Sequence, residues 1–347
     1  MASIKDVAEK AGVSISTVSN VINNTKYVSD ELKARINKII EELQYEVDPV
    51  ARSLKSKKTM TIGVVITNIN RIFFPQVIKG IQDCAAKNGY NLMFCSSDDR
   101  LADEKRFIQM LENSWVDGII LDSVADAGDR EYFNHLSSLG GKKKSIPVVS
   151  LERKIDGISS VVVNNRQGGS IAARHLIDCG CRNIAHITGP LNSCLAADRL
   201  YGYKNELLKE NLKTDDSMIV EGDYSPLSGY RAMRQLLTAG MEVDGIFAAN
   251  DQMAIGAIKA VRENGIRIPE DIKIVGFDNT FVASIVEPAL TTVNVPQYKM
   301  GDAAVEALIR RIEDPSAEAF CVELAINLII RSSTDLRGDK NWDLYGW

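Results

Sequence analysis

The chain has 347 residues, 45% of them hydrophobic and 25% charged, which is the make-up of a soluble globular protein with room for two or three domains. It opens with no apolar leader and holds no uninterrupted apolar run near the ~18 residues a membrane span needs, so secretion and membrane insertion are not expected and a cytoplasmic protein is. The net charge of −5 argues against a uniformly basic nucleic-acid binder, yet residues 1–60 hold ten Lys or Arg against eight Asp or Glu. A basic head on an acidic body suits a DNA contact made by one end only, although an ordinary solvated surface would give the same balance.

Residues 4–24, IKDVAEKAGVSISTVSNVINN, read as two short amphipathic helices joined by a turn. Ile4, Val7 and Ala8 form the apolar stripe of the first, and Val18, Val21 and Ile22 that of the second. Gly12 supplies the chain reversal, and Ser14 stands where its hydroxyl would cap the second helix. The outward positions Ile15, Ser16 and Asn20, with Thr17 beside them, are short, which suits a helix pushed into a major groove. The pattern predicts a helix-turn-helix whose second helix reads DNA. An ordinary helical hairpin within a core would show the same two stripes, and these residues alone leave both readings open. Val28-Ser29-Asp30 then opens a third helix, with Ser29 as N-cap and Asp30 and Glu31 in its first turn. Leu32, Ile36, Ile39, Ile40 and Leu43 are its buried side.

Residues 45–58, YEVDPVARSLKSKK, can start a helix at Pro49, but one ending near Lys55 spans barely two turns and is marginal without a partner. Ala51 and Leu54 lie on one side, with Arg52, Lys55, Lys57 and Lys58 around them. The segment reads as a basic linker, or as a helix that forms only when paired and set against phosphates. Composition alone favours the linker.

The three stretches IKDVAEKAGVSISTVSNVIN, VSDELKARINKIIEELQY and PVARSLKSKKTMTIGVV together resemble the N-terminus of the lactose/galactose repressor family of bacterial transcription regulators, and the likeness runs on to about Thr334. The resemblance makes Ile15, Ser16 and Asn20 the base-reading positions with Lys26 nearby, and Ile4, Ser14, Thr17 and Lys55 complete the expected DNA-contact set. It makes Leu54 the hinge side chain that two subunits wedge into the minor groove at the operator centre. Many relatives carry Arg where this chain has Asn20, so the favoured half-site is expected to differ, since Asn commonly reads adenine. Asp48 also replaces the usual Asn near the expected phosphate path.

From Thr61 strands and helices alternate. TIGVVI, a helix in FFPQVIKGIQDCAAKNGY, NLMFCSS, a helix over 102–113, DGIILDS, a helix near 129–139 and PVVSL make one parallel doubly wound unit, because near-continuous apolar strands between helices are buried on both faces. A second unit is expected from SVVVN through ARHLIDCG, IAHITG, a helix over 196–210, SMIVEGD, DGIFAAN and IKIVGF. VDGIILDS at 116–123 and VDGIFAAN at 243–250 read as equivalent strands. The chain is also similar to the periplasmic-binding-protein fold, which implies two lobes linked by crossings near 160, 292 and 321. The expected architecture is an all-α helix-turn-helix head over 1–46, a hinge segment over 47–60 and an α/β two-lobe periplasmic-binding-protein-like core of two doubly wound parallel sheets over 61–337, then a tail at 338–347. The first lobe takes about 61–160 and 293–320, the second about 161–292 and 321–337.

Ligands of open α/β sheets bind outside the carboxyl ends of the strands. Those ends bring residues 68–74, Glu152, Arg153, residues 189–199, Tyr224, Asn250, Asp251 and Asp278 to one cleft. Carboxylates, amides and guanidinium groups hold hydroxyls, and Phe73, Phe74 and Tyr224 offer flat apolar faces, so the set suits a sugar. The family's effector positions fall on Phe74, Glu152, Ser193, Arg199, Tyr224, Asn250 and Asp278, and Asn70, Arg71 and Phe73 complete the candidates. Asp278 and Arg199 lead them, although Asp278 could instead cap a helix from Thr280 and Arg199 could be a surface ion pair. Arg71 and Ile72 depart from the Asn-Pro common before the two aromatics, and the extra cation hints at an acidic or phosphorylated sugar.

Catalysis finds little material: there is no G-x-S-x-G, no Walker A loop, no Ser/His/Asp set, and ANDQ at 249–252 offers one Asp without a paired base. Three His and six Cys (84, 95, 179, 181, 194 and 321) without C-x-x-C spacing predict buried reduced thiols rather than a metal site or disulfides. No cofactor is expected beyond the small-molecule effector. The reading is a sugar-responsive regulator, a repressor by resemblance, whose homodimer places two heads on a palindromic double-stranded operator. Effector binding would shift the lobes and bias the hinge between folded and disordered. Residues 335–347 lack the leucine heptad of lactose-repressor-type tetramers, which favours the dimer. A solute-binding protein of a transport system is the alternative, and the helix-turn-helix where a signal peptide would stand argues against it.

Overall fold

The computed structural model describes residues 2–23, 26–45, 58–114, 116–126, 128–140 and 146–342. The chain divides into two compact units, Met1–Thr59 and Met60–Trp347.

In the first unit, α1 (Ile4–Ala11) begins at a capping box in which the Ser3 hydroxyl accepts from the Asp6 N–H and the Asp6 carboxylate accepts from the Ser3 N–H at 2.7 Å. It ends at Gly12, whose φ of +64° makes the left-handed turn that ordinary residues resist. The Ser14 hydroxyl accepts from the Thr17 N–H at 3.2 Å and caps α2 (Ile15–Asn23). Ser29 occupies the N-cap position of α3 (Asp30–Glu42), but its side chain makes no capping bond, contrary to expectation. Asp30 and Glu31 in the first turn meet the helix dipole there instead. Val7, Ala8, Val18, Val21, Ile36 and Ile39 close a small separate core.

The second unit is built on two six-stranded sheets. In chain order the strands are β1 (Thr61–Ile66), β2 (Asn91–Ser96), β3 (Gly118–Leu121), β4 (Val148–Leu151), β5 (Ser159–Val163), β6 (Ile184–Thr188), β7 (Ile219–Glu221), β8 (Gly245–Ala248), β9 (Lys273–Asp278), β10 (Thr291–Asn294), β11 (Cys321–Leu324) and β12 (Asn327–Ile329). The first sheet runs β11-β5-β4-β3-β1-β2 and the second β12-β10-β9-β8-β6-β7, so the plan is the same twice and the two VDGI segments, β3 and β8, hold equivalent places. Neighbouring strands are parallel except β12, which runs antiparallel to β10. Every residue of β3, β4, β5, β6 and β8 is buried, as strands covered on both faces require.

SVVVN, expected to open the second unit, is β5 and belongs to the first sheet, between β4 and β11. An apolar run buried on both faces fits either sheet, and only the short β4–β5 connection decides. The three crossings between lobes accordingly fall after β5, after β10 and between β11 and β12, each a few residues later than expected.

Nine helices cover the sheets among the described residues: α4 (Phe74–Lys87), α5 (Leu101–Asn113), α6 (Arg130–Leu139), α7 (Asn165–Asp178), α8 (Cys194–Lys209), α9 (Pro226–Thr238), α10 (Asp251–Glu263), α11 (Phe281–Ile285) and α12 (Gln297–Glu313). Three pairs press backbone to backbone at facing glycines: Gly169 with Gly202 between α7 and α8, Gly80 with Gly301 between α4 and α12, and Gly229 with Gly256 between α9 and α10. A Cβ on Gly202 would run into the Arg166 carbonyl, and one on Gly169 into the carbonyl of Arg199. The α7–α8 contact therefore fixes the stretch of helix that carries Arg199. All six cysteines are free; Cys84, Cys95 and Cys181 are buried, but Cys194 and Cys321 are exposed, against the expectation of buried thiols, because each is the first residue of a surface element.

Candidate functional site

The carboxyl ends of the two sheets enclose a cleft of about 240 Å³. From the first lobe come Arg71 and Phe73 in the β1–α4 turn, Phe74 at the start of α4, Asp99 beyond β2, Asp122 beyond β3, and Glu152 and Arg153 beyond β4. From the second come Ser193 ahead of α8, Arg199 on α8, Tyr224 beyond β7, Asn250 beyond β8 and Asp278 at the end of β9. Nine of the ten candidate residues thus line one cleft. Asn70 does not: it lies exposed in the turn where the Arg71 N–H donates to the Asn68 carbonyl, which carries it away from the cavity.

Arg199 is the hub, and the surface ion pair is overturned because its side chain is only 4% exposed. Its Nε donates to Asn165 Oδ1 at 2.8 Å and Nη1 to the Ala249 carbonyl at 2.5 Å, and the guanidinium lies 3.7 Å above the Phe277 ring. The remaining Nη2 points between lobes, 3.8 Å from Glu152 Oε1 and 4.0 Å from Asp278 Oδ1. Burial pushes the Glu152 pKa up to about 7, with the nearby Asp122 carboxylate adding to it against Arg199, Arg71 and Arg153. Burial likewise holds Asp278 well above the carboxylate range, and Asp122 is raised for the same reason although it accepts from the Thr67 hydroxyl at 2.7 Å.

Asp278 does not cap α11. The Thr280 N–H and hydroxyl donate to Asp251 at 2.7 and 3.0 Å, and Thr292 adds a third donor at 2.6 Å, so Asp251 is a buried fastener outside the cleft. Asn250 lines the wall while its amide caps α10, accepting from the Met253 N–H at 2.9 Å and donating to the Tyr224 carbonyl at 3.1 Å. Phe73 and Phe74 meet edge to face with centroids 5.4 Å apart, and the buried Tyr224 lines the same cleft beside Ser193.

Arg71 is not the spare cation the sequence hinted at. It pairs with Asp99 at 2.5 Å, donates to Thr67 Oγ1 at 3.1 Å and lies 4.9 Å over the Tyr224 ring. Arg153 is committed too, to the Ala125 carbonyl and across the cleft mouth to Cys194 Sγ at 3.2 Å. The wall therefore carries more carboxylates than free cations, which weakens the case for an acidic or phosphorylated sugar.

Asp122 and Asp99 were missed from sequence, although the strand-end rule that picked Glu152 applies equally to them. A second signal had no sequence trace. Asp99, Glu152, Tyr224 and Asp278 have φ of +59°, +60°, +68° and +102°, a backbone region that side chains rarely adopt and that marks ligand sites when packing enforces it. They fall in matching places, Asp99 and Tyr224 beyond β2 and β7, Glu152 and Asp278 at the ends of β4 and β9.

In the first unit, Ser14, Ile15, Ser16 and Thr17 cluster at the first turn of α2, with Asn20 one turn on. The Ser14 hydroxyl lies 2.7 Å from that of Ser16 and 2.9 Å from that of Thr17. Ile15 is exposed, Lys26 is exposed, and Ile4 is half-buried against the small core. Leu54 and Lys55 lie outside the described residues.

Family models match this chain in two places: bacterial regulatory proteins, lacI family, over residues 3–48, and a periplasmic binding protein-like domain over residues 173–334. The HTH-type transcriptional repressor PurR of Proteus mirabilis (strain HI4320) is 38% identical over 336 residues, covering 96% of this chain and 97% of that protein. The ribose operon repressor of Halalkalibacterium halodurans is 35% identical over 342 residues, covering 98% and 99%. Among solved structures, the Lac repressor dimer bound to operator and the anti-inducer ONPF aligns with a TM-score of 0.85 at 28% identity, over 96% of this chain and 99% of that one.

Proposed function

The chain belongs to the lacI family of bacterial regulatory proteins and is a DNA-binding transcriptional regulator, and on that premise we propose that a small sugar-type effector, seated in the cleft, controls the grip of its homodimer on a palindromic operator. The observation that carries this reading is Arg199 of one lobe standing within 4.0 Å of carboxylates at the strand ends of both lobes, all facing one cavity. A ligand that bridges such groups binds the closed arrangement better than the open one and so shifts the balance between them. Glu152, Asp278, Ser193 and Arg199 take its hydroxyls, Phe73, Phe74 and Tyr224 its apolar faces, and the volume suits one small ring. Ile15, Ser16, Asn20 and Lys26 read the operator, and the hinge over 47–60, with Leu54 and Lys55, couples the two events.

This assigns the chain to regulation rather than catalysis, with no cofactor, and to the cytoplasm where operators are. No described helix is long and apolar enough to cross a membrane. A transporter's solute-binding protein has no use for the lacI-family head matched at residues 3–48.

Thermal unfolding across neutral sugars, sugar acids and sugar phosphates tests the effector assignment, with D-ribose first because of the relative's name. A ligand at ~100 times its dissociation constant adds roughly 2.7 kcal/mol and moves the melting point visibly. A hit makes operator binding with and without that compound the next measurement. A silent panel overturns the sugar assignment and leaves the DNA-binding one standing.

A further inference from the structure

We propose that effector binding is linked to proton release from Glu152, so that the protein holds its sugar more tightly as pH rises through neutrality. The inference rests on the cleft being the effector site and adds a regulation of that site.

The geometry comes first. Glu152 and Asp278 face the cavity with side chains 11% and 9% exposed, and no hydrogen-bond donor of the described residues reaches either carboxylate. Arg199 is the nearest cation to both, at 3.8 and 4.0 Å, with its other nitrogens committed to Asn165 and the Ala249 carbonyl. The groups that face Glu152 from the neighbouring elements add acid rather than base. Asp122 comes from the end of β3, Asp278 from β9, and the Arg71–Asp99 pair from the β1–α4 turn and the end of β2. Arg153, next in the chain, is spent on the Ala125 carbonyl and Cys194. Three guanidinium groups thus share the cleft with five carboxylates, the fifth being Asp223, whose Oδ1 accepts from the Ser225 N–H.

Under these conditions one carboxylate keeps its proton, and burial with Asp122 beside it puts the Glu152 pKa at about 7. A sugar hydroxyl has a proton to donate and stabilises the carboxylate form. Binding therefore lowers the Glu152 pKa. Below neutrality the sugar must displace a proton, and above it the carboxylate is ready.

Calorimetric titration with D-ribose, D-glucose and D-galactose at about pH 6 and about pH 8, in buffers of different ionisation enthalpy, reads both affinity and protons released. The expected result is roughly tenfold tighter binding at the higher pH, with release of a proton near neutrality. Glu152→Gln should fold, bind more weakly and lose the slope. Asp122→Asn, which removes the neighbouring like charge, should keep the slope and move its midpoint to lower pH. A sugar that binds equally at both pH values, or a slope that survives in Glu152→Gln, overturns the linkage and leaves the effector site standing. No binding of any of these sugars at either pH overturns both.

Discussion

Two largely buried glutamates, one packed between α7 and α8 and the other on the cleft wall, behave in opposite ways. Glu206, on α8 where it packs on α7, accepts from the Ser170 hydroxyl at 2.5 Å, from Arg174 Nε at 2.8 Å and from Lys209 at 2.9 Å. Burial pushes its pKa up, but those donors outweigh burial and bring it down to about 2. Glu152, on the cleft wall, finds no such donors and goes up to about 7. The difference separates scaffold from site. Where the fold needs a buried charge it supplies every partner, and where a ligand is to come the partners are left out.

The α7–α8 contact is the strongest place to break the scaffold side of that contrast. Gly202→Ala drives a methyl group into the Arg166 carbonyl and should cost roughly 2–3 kcal/mol in chemical denaturation, with sugar binding lost through the displaced Arg199. A loss under about 0.5 kcal/mol would mean the helices part freely and the close packing carries no weight.

Glu206→Gln comes next. A carboxylate with a depressed pKa contributes stability that is present above its unfolded value of 4.5 and fades as pH falls through about 2. Arg174 and Lys209 are 38% and 55% exposed, so screening reduces the effect to on the order of 1–2 kcal/mol at neutral pH. The variant's stability curve should be flatter than wild type between pH 5 and pH 2. A curve parallel to wild type would remove Glu206 from the scaffold.

On the cleft side the sign reverses. Asp278→Asn removes a buried carboxylate held above its ordinary range, so the ligand-free protein should gain on the order of 1 kcal/mol near neutral pH while sugar affinity falls. Stability and affinity dropping together would make Asp278 a scaffold residue after all. The smallest effect belongs to the head. Ser14→Ala deletes the α2 cap and should cost about 0.5–1 kcal/mol of head stability, read by amide exchange in α2 with α12 unchanged.

Much of this was legible in the sequence because it is written locally. Periodicity and capping residues gave the three head helices, the rule that ligands gather at strand carboxyl ends gave the stretches around the cleft, and the family resemblance picked seven of the nine cleft residues out of them. The parts that were not legible depend on distant partners. Arg71 looks like a free cation until Asp99, far along the chain, folds against it. Ser159–Val163 is apolar throughout and names no sheet until its neighbours are known. The left-handed backbone of Glu152, Tyr224 and Asp278 leaves no trace at all, since glycine, the residue that would announce it, is absent from those positions.

The last two strands carry a further consequence. β11 completes the edge of the first sheet and β12 the edge of the second, and only two residues separate them. A ribosome delivers the chain from its N-terminus, and domains made of contiguous sequence can fold as they emerge. Here neither lobe is contiguous. A nascent chain halted before residue 321 holds two unfinished sheets rather than one finished lobe, so both halves of the cleft are completed together as residues 321–329 emerge.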